Sequence, residues 1–529
     1  MNSNPLYQKL DEKNEYQKYL YRYGYVITDC TWRIDEKFSF LKTWTLHQYN
    51  AIQFIVHPDQ KIFFCTENNT TFFLIGHCYN PIRMTADEND VLHALIQSYK
   101  RDVSDYTLYL SELTGIFVTG YINDNGITVY GDAAGMLMTY YGCIENQIWI
   151  SSHADLIGNL SSLEQDSYVQ KLTQYKFYPL FGYSLPGDLS PYKAFKRLVP
   201  NHYVHIQNAI CTVKRFYPYR DRDVSDNRYS IEERVTKIAQ ILQNSMTLVA
   251  QKWKKPAISL TGGCDSKTTL ACASGSYEKF RYFSYISQES EQVDADGAHT
   301  ICEALGLHHK IYHIPTELQN HEDFELIRDI ISANQGNIGK LPAHEVRKRI
   351  YFSQIDDFDV EVKSWVSEIG RAYYHKRFQK KTFPTKPSPR YLTTLYKVFM
   401  HDRRLVKETD HIFENYITEY LDQNKLFGWN WIDLLFWEFR VSSWNGLVIT
   451  GEHRYSFDIT IPYNNRELLE LLLAVPVDTR IDDALYRNVR AMTNPTIDAS
   501  GVAITNLKHT SNRAKMERMY LEVHSKLPI

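Results

Sequence analysis

Hydrophobic and polar positions change rhythm near the middle of the chain. Up to about residue 215, apolar residues come in short runs separated by turn residues, which predicts strands and turns. In GIFVTGYINDNGITVYGDAAGMLMTYYG two β-rich runs flank Asn125-Gly126, a strong hairpin signal, and NQIWISS continues the alternation. Around residues 215–230, RFYPYRDRDVSDNRYS, the apolar signal gives way to charge and turn residues, which suits a domain boundary.

Beyond that boundary the period lengthens. Ser230 and Glu233 have capping-box spacing, and Ile231, Val235, Ile238, Leu242 and Val249 fall on one helical face. The strand AISL, a glycine turn, a helix, the strand FRYFSYIS and a helix through DGAHTICEALG follow in order. Such alternation predicts a parallel sheet covered by helices, with ligands at the carboxyl ends of its strands. The expected class is mixed, α/β and α+β, in two domains of residues 1–215 and 216–529.

Composition adds limits. At 529 residues the chain exceeds what one ordinary core organises. Its 43% hydrophobic and 23% charged content is that of a globular enzyme, while 39 tyrosines assign no activity. A formal charge of −3 argues against a chain held mainly by nucleic-acid phosphates. The eight cysteines are dispersed without a CxxC pair, which fits neither a zinc site nor a disulfide scaffold. The first 25 residues carry no apolar stretch of signal-peptide kind. Runs such as LLELLLAVPV are far shorter than the roughly 20 residues a membrane helix needs. A cytoplasmic location is expected.

The chemistry centres on AISLTGGCDSKTTLACASG, residues 257–275. Gly262 and Gly263 let a ligand approach the backbone, and the amides opening the next helix favour an anion. Thr261 and Ser266 add hydroxyls, and Lys267 sits in the first turn. Asp265 suits a phosphate chain only with Mg²⁺ between them. Ser259 and Leu260, ending the strand, and Tyr285, on the next one, complete the expected ATP contacts. The spacing is not that of Walker A but the signature of ATP pyrophosphatases. The alternative is a plain strand–turn–helix corner.

Further segments follow in a telling order. Leu113, Gly115, Phe117, Asp132, Gly135, Tyr140 and Tyr141, then WISSHADLIG, LPGDLSPYKAFKRLVPNHYVHI and DITIPYNNRELLELLLAVP, are similar to successive motifs of the asparagine synthetase family. That family includes glutamine-hydrolysing asparagine synthetases, β-lactam synthetases and lasso-peptide cyclases, and the resemblance covers about residues 100–510. It implies an N-terminal Ntn-hydrolase-like β-sandwich and a C-terminal adenine-nucleotide α-hydrolase-like ATP pyrophosphatase domain. It also implies a ligase that uses ATP and Mg²⁺ to adenylate a carboxylate, releases pyrophosphate and forms an amide.

Departures from the family narrow this. Glutamine-using members begin with Cys after the initiator Met, whereas Asn2 stands here and Cys30 lacks the family's context. A degenerate glutaminase domain is therefore expected. The family's acidic loop is represented by VKSWVSEIGRAYY, residues 362–374, without its glycines. Glu368 is implied as catalytic and as a second Mg²⁺ ligand beside Asp265, and Arg371 as a substrate contact, with Tyr373 or Tyr374 retained. A surface Glu–Arg pair is the alternative. In FWEFRVSSW, Glu438 is implied as catalytic and Arg440 as substrate-binding, against a structural salt bridge. Lys508, with Lys515 as fallback, is the implied lysine for the departing pyrophosphate.

The implied partners are a small-molecule or peptide carboxylate and ammonia or an amine, with no nucleic acid and no membrane; a homodimer is left open. The alternatives are a cyclase forming an intramolecular amide, an inactive binding protein, and an ATP pyrophosphatase acting on RNA.

Overall fold

The computed structural model describes residues 4–31, 37–219, 229–502 and 512–526. The expected lysine Lys508 lies outside them. Among the described residues twelve strands precede the sequence boundary: β1 Tyr25–Thr28, β2 Thr45–Tyr49, β3 Ile52–Val56, β4 Ile62–Glu67, β5 Thr70–Tyr79, β6 Thr114–Asn123, β7 Gly126–Gly131, β8 Tyr140–Ile144, β9 Gln147–Ser151, β10 Lys196–Arg197, β11 His202–Gln207 and β12 Ile210–Arg215. They form two antiparallel sheets, ordered β10-β8-β9-β1-β3-β2 and β12-β11-β7-β6-β5-β4. The sheets face each other, with Phe54 against Phe73 at 5.1 Å and Tyr49 against Phe64 at 4.3 Å between ring centres.

Period-two alternation decides what each face covers. In β5, Phe73 and Ile75 point into the sandwich, while Phe72 and Leu74 meet the helices Glu88–Arg101 and Val103–Ser111. In the first sheet Ile27, Phe54 and Val56 point inward. Val26, Ile55 and Trp149 point outward, into a core shared with the helices Ala154–Leu160, Phe324–Asn334 and Ala343–Ser353. The last two helices come from beyond residue 215, so the C-terminal half supplies part of the outer layer of an N-terminal sheet. Asn334 Oδ1 reinforces this by accepting from the Tyr21 amide at 2.7 Å.

Two local expectations need correction. The hairpin pairs Asn123 with Gly126, so its loop residues are Asp124 and Asn125, one position earlier than the Asn-Gly signal suggested. Gly126, at φ +110°, opens the returning strand. The helices Glu88–Arg101 and Val103–Ser111 also stand where strands and turns were read.

The C-terminal half carries the parallel sheet that its alternation predicts. Its strands are β13 Pro256–Ser259, β14 Arg281–Ile286, β15 His309–His313, β16 Val360–Val362 and β17 Asp458–Thr460, all parallel, in the order β15-β14-β13-β16-β17. The helix Ile231–Lys252 precedes it, opened by the reciprocal Ser230–Glu233 capping box. From β13 the chain steps to β14 and β15 on one side, then returns to β16 and β17 on the other. Strand order therefore reverses between β13 and β16, and a crevice opens beyond their carboxyl ends.

Asn464, Asn465 and Arg466 tie this half to the sandwich. Asn464 Nδ2 donates to Gly115 O at 2.6 Å and to Asp132 at 2.9 Å. Asn465 Nδ2 reaches Glu112 O at 2.7 Å, and Arg466 Nη2 reaches Gly131 O at 3.1 Å.

Candidate active site

β13 is apolar and buried up to Ile258, and it ends where the glycine turn begins. The helix Cys264–Cys272 then starts from Gly263. Gly263 is extended (φ −75°, ψ 162°), and neither it nor Gly262 is among the described residues with positive φ. The turn therefore does not use glycine for left-handed backbone. A Cβ on Gly263 would meet only Thr261 Oγ1, at 3.1 Å, so what its hydrogen leaves is room above the helix-opening amides.

The loop holds itself in shape. Ser266 Oγ donates to Thr261 O at 2.7 Å and accepts from the Thr261 amide at 3.2 Å, while the Gly263 amide donates to Thr261 Oγ1 at 3.2 Å. Both hydroxyls brace the turn, a role beyond the ligand contacts expected of them.

Across the crevice, β16 leads into the acidic loop. Val366 adopts φ 75°, ψ −29°, a left-handed conformation that a β-branched residue takes only under constraint, and it is wholly buried. This kink starts the short turn Ser367–Arg371, and Ala372 (φ 51°) ends it. The loop, read from sequence as lacking the family's glycines, turns at strained non-glycine corners.

Between these two loops lies a cleft of about 320 Å³. Ser259, Leu260, Thr261, Asp265, Ser266, Tyr285 and Glu368 all line it, joined by Lys363, Trp365, Glu291 and Asp294. Of these four, Lys363 and Trp365 fall in the 362–374 segment without an expected role, and Glu291 and Asp294 fall in no motif. Lys363 was nonetheless legible in principle, since it directly follows an apolar strand at the ligand-binding edge of the sheet. Its ammonium pairs with Glu361 at 2.7 Å, and burial lowers its pKa.

Asp265 and Glu368 face each other across the cleft under strong electrostatic tension. Burial, then the Asp265 charge, push the Glu368 carboxyl up to about 7, against the pull of Arg371 and Arg440. Glu368 touches the cleft but is otherwise walled in by protein. Arg371 bonds Asp265 Oδ2 and also makes a two-pronged pair with Asp483, at 2.9 Å on each side. Asp265 Oδ1 is buried without a partner among the described residues.

A buried orphan carboxylate oxygen beside a second, proton-retaining carboxylate is a donor set that fits Mg²⁺. That ion takes one or two protein carboxylates and fills its remaining positions with water and phosphate oxygens. Among the described residues no set of three His, Cys, Asp or Glu side chains could hold a metal alone. Asp265 and Glu368 would supply the protein ligands, with Arg371 released toward Asp483.

Other expected residues lie elsewhere. Lys267 is buried away from the cleft, its ammonium 3.0 Å from Val502 O and 3.5 Å from Asp498, so it reaches neither phosphate space nor solvent. Lys515 is exposed on the helix Asn512–His524 and does not line the cleft.

Glu438 is a correction in kind. It lies in a π-helical stretch, Leu435–Val441, wholly buried, with its oxygens bonded by Arg215 at 2.6 and 2.7 Å and Oε1 also by Asn201 at 3.0 Å. The sequence's alternative of a structural salt bridge describes it, and it joins β12 to the C-terminal half. Arg440, two residues on, lies over the Trp444 ring at 4.5 Å, and its charge acts on Glu368. Tyr373 stacks on Phe436 at 4.4 Å, so the acidic loop rests on the same π-helical stretch.

Cys30 is buried just after β1, which lies between β9 and β3 in the first sheet. A chain beginning at Cys30 would lack that strand, so trimming to free its amine would dismantle the sheet.

A scan against protein-family models finds no match, and a search of curated proteins finds none. Among solved structures, the chain is similar to a glutamine phosphoribosylpyrophosphate amidotransferase from B. subtilis complexed with ADP and GMP. Identity there is 11%, the TM-score is 0.23, and 70% of this chain and 75% of that one are covered. It is also similar to a glutamine-dependent NAD+ synthetase from Acinetobacter baumannii in complex with adenosine diphosphate, at 11% identity and a TM-score of 0.20, covering 60% of this chain and 83% of that one. Superpositions this loose carry no function across. What stands on its own is a mixed α/β chain with a parallel five-stranded sheet and a carboxylate-lined cleft where its strand order reverses.

Proposed function

We propose that the chain is an ATP-dependent amide-forming ligase of the asparagine synthetase kind, working through an acyl-adenylate. One observation carries this reading: two carboxylates, Asp265 and Glu368, line a cleft that Thr261 and Ser266, on either side of the glycine turn where its helix opens, also line. The helix-opening amides and the helix dipole suit a triphosphate chain. Mg²⁺, when bound, offsets the charge that accumulates on the leaving pyrophosphate. A substrate carboxylate oxygen attacks the α-phosphorus, the bond to pyrophosphate breaks, and acyl-AMP forms. Ammonia or an amine then adds to the acyl carbon, loses a proton and expels AMP, leaving an amide.

The charges of Arg371 and Arg440 act on Glu368 from outside the cleft lining, so they would favour an acidic substrate at longer range rather than by contact. The nitrogen comes from outside the N-terminal half, since Cys30 is committed to the sheet. The test is isotope exchange between pyrophosphate and ATP across a panel of carboxylic acids, with product analysis. AMP and pyrophosphate are expected. ADP with orthophosphate overturns the reading.

A second reading has its own observation. Arg371 already bonds Asp265, which suits a nucleotide-binding protein without catalysis. In that case ATP binds and Arg371→Ala leaves its magnesium dependence unchanged. In a ligase, removing this competitor tightens apparent Mg²⁺ binding.

A further inference from the structure

We propose that Cys143 and Cys211 form a reversible disulfide that fastens the two antiparallel sheets to each other. The sequence separates these residues by 68 positions, and no motif joins them. The fold brings their sulfurs to 3.6 Å. Cys143 lies on β8, beside the edge of the first sheet, paired across the ladder with Ile148. Cys211 lies on β12, the edge of the second sheet, paired with Ile206. The contact therefore bridges the sheets at the end remote from the Tyr49–Phe64 stack. A disulfide needs sulfurs about 2.0 Å apart, so closing the bond takes an approach of about 1.6 Å.

Access and chemistry favour the pair. Both side chains are partly exposed, unlike the buried Cys30, Cys78, Cys272 and Cys302. The two thiols share a hydrogen bond in which either sulfur can donate, so each can stabilise the other's thiolate. Either sulfur can therefore supply the attacking thiolate.

With glutathione disulfide as oxidant, the first thiolate, taken as Cys143, attacks one of its sulfurs, and the first glutathione leaves as thiolate and takes up a proton. Cys211 then gives its proton to solvent and attacks the Cys143 sulfur, expelling the second glutathione. The two cysteines lose two hydrogens and the glutathione disulfide gains them. Oxidation also restrains β12, whose last residue, Arg215, holds Glu438 in the other half.

The experiment equilibrates the full chain in glutathione buffers of graded reduced-to-oxidised ratio. Samples are quenched in acid, free thiols alkylated, and peptides mapped without reduction. The expected result is a Cys143–Cys211 cross-linked peptide, a chain lighter by about 2 Da, and a higher Tm for the oxidised form. Cys143→Ser and Cys211→Ser, both at partly exposed positions, should each abolish the cross-link and make Tm indifferent to oxidant, with unchanged circular dichroism. Stable glutathione adducts without ring closure overturn the proposal. So do cross-links to other cysteines, or thiols still free at the most oxidising ratio.

Discussion

The chain buries carboxylates in two places and treats them oppositely. At the joint between its halves, Glu438 has both oxygens satisfied by Arg215 and one also by Asn201. In the cleft, Asp265 has one oxygen on Arg371 and the other without a partner among the described residues, while Glu368 holds its proton up to about 7. A buried carboxylate with both oxygens engaged by buried partners is part of the framework, and no step of chemistry can use it without breaking the fold. One with an unpartnered oxygen beside a cleft is held at a cost that a bound cation would remove.

The largest effect should come from the joint. Glu438→Ala leaves the Arg215 guanidinium buried and unpaired, which destabilises by about 3–5 kcal/mol. Thermal and urea unfolding should both register it, and an unchanged Tm would dissolve the contrast between the two sites. In the cleft, Asp265→Asn should lower pyrophosphate exchange by at least ~100-fold, about 2.7 kcal/mol in transition-state terms, while Tm stays near wild type. Wild-type exchange in that variant would move Asp265 to the framework class.

Glu368 separates the classes by pH. Its carboxyl is raised from 4.5 to about 7 in the fold, so the native state binds its proton more tightly than the unfolded chain does. Stability from this group is full below about pH 4.5 and is lost as pH rises through about 7. Glu368→Gln, which cannot ionise, should therefore melt higher than wild type at alkaline pH and equally in acid, measured without nucleotide or metal. Equal melting across the whole range would show that Glu368 is not under strain. The smallest effect belongs to Gly263→Ala. Its methyl fits the extended backbone, so stability should shift by no more than about 0.5 kcal/mol. ATP affinity, by calorimetry, should weaken several-fold if a ligand approaches those amides.

Much of the cleft was legible because its signals are local. AISL, the glycines and Asp265 lie within one strand–turn–helix unit, and periodicity alone orients them. Glu368 was reachable through an order of motifs, although its loop had lost the glycines. Glu438 was not. Whether its oxygens are filled depends on Arg215, more than two hundred residues away, and short-range spacing carries nothing about that. Lys267 failed similarly, because Asp498 and Val502 draw its ammonium to the far side of its helix. The helices Glu88–Arg101 and Val103–Ser111 were hidden differently. Their apolar stripes, such as Val91, Leu92, Leu95 and Ile96, have helical spacing but sit among strong strand signals.

The outer core of the first sheet has a bearing on how the chain comes into being. Val26, Ile55 and Trp149 are covered by Phe324–Asn334 and Ala343–Ser353. On a ribosome the strands emerge long before their cover does. Ala154–Leu160 covers part of that flank early, but the rest stays wet until Ser353 has been synthesised, which leaves the nascent sandwich sticky. A fragment cut at the change of sequence rhythm would keep that wet flank permanently and should aggregate, whereas one extended past Ser353 closes it.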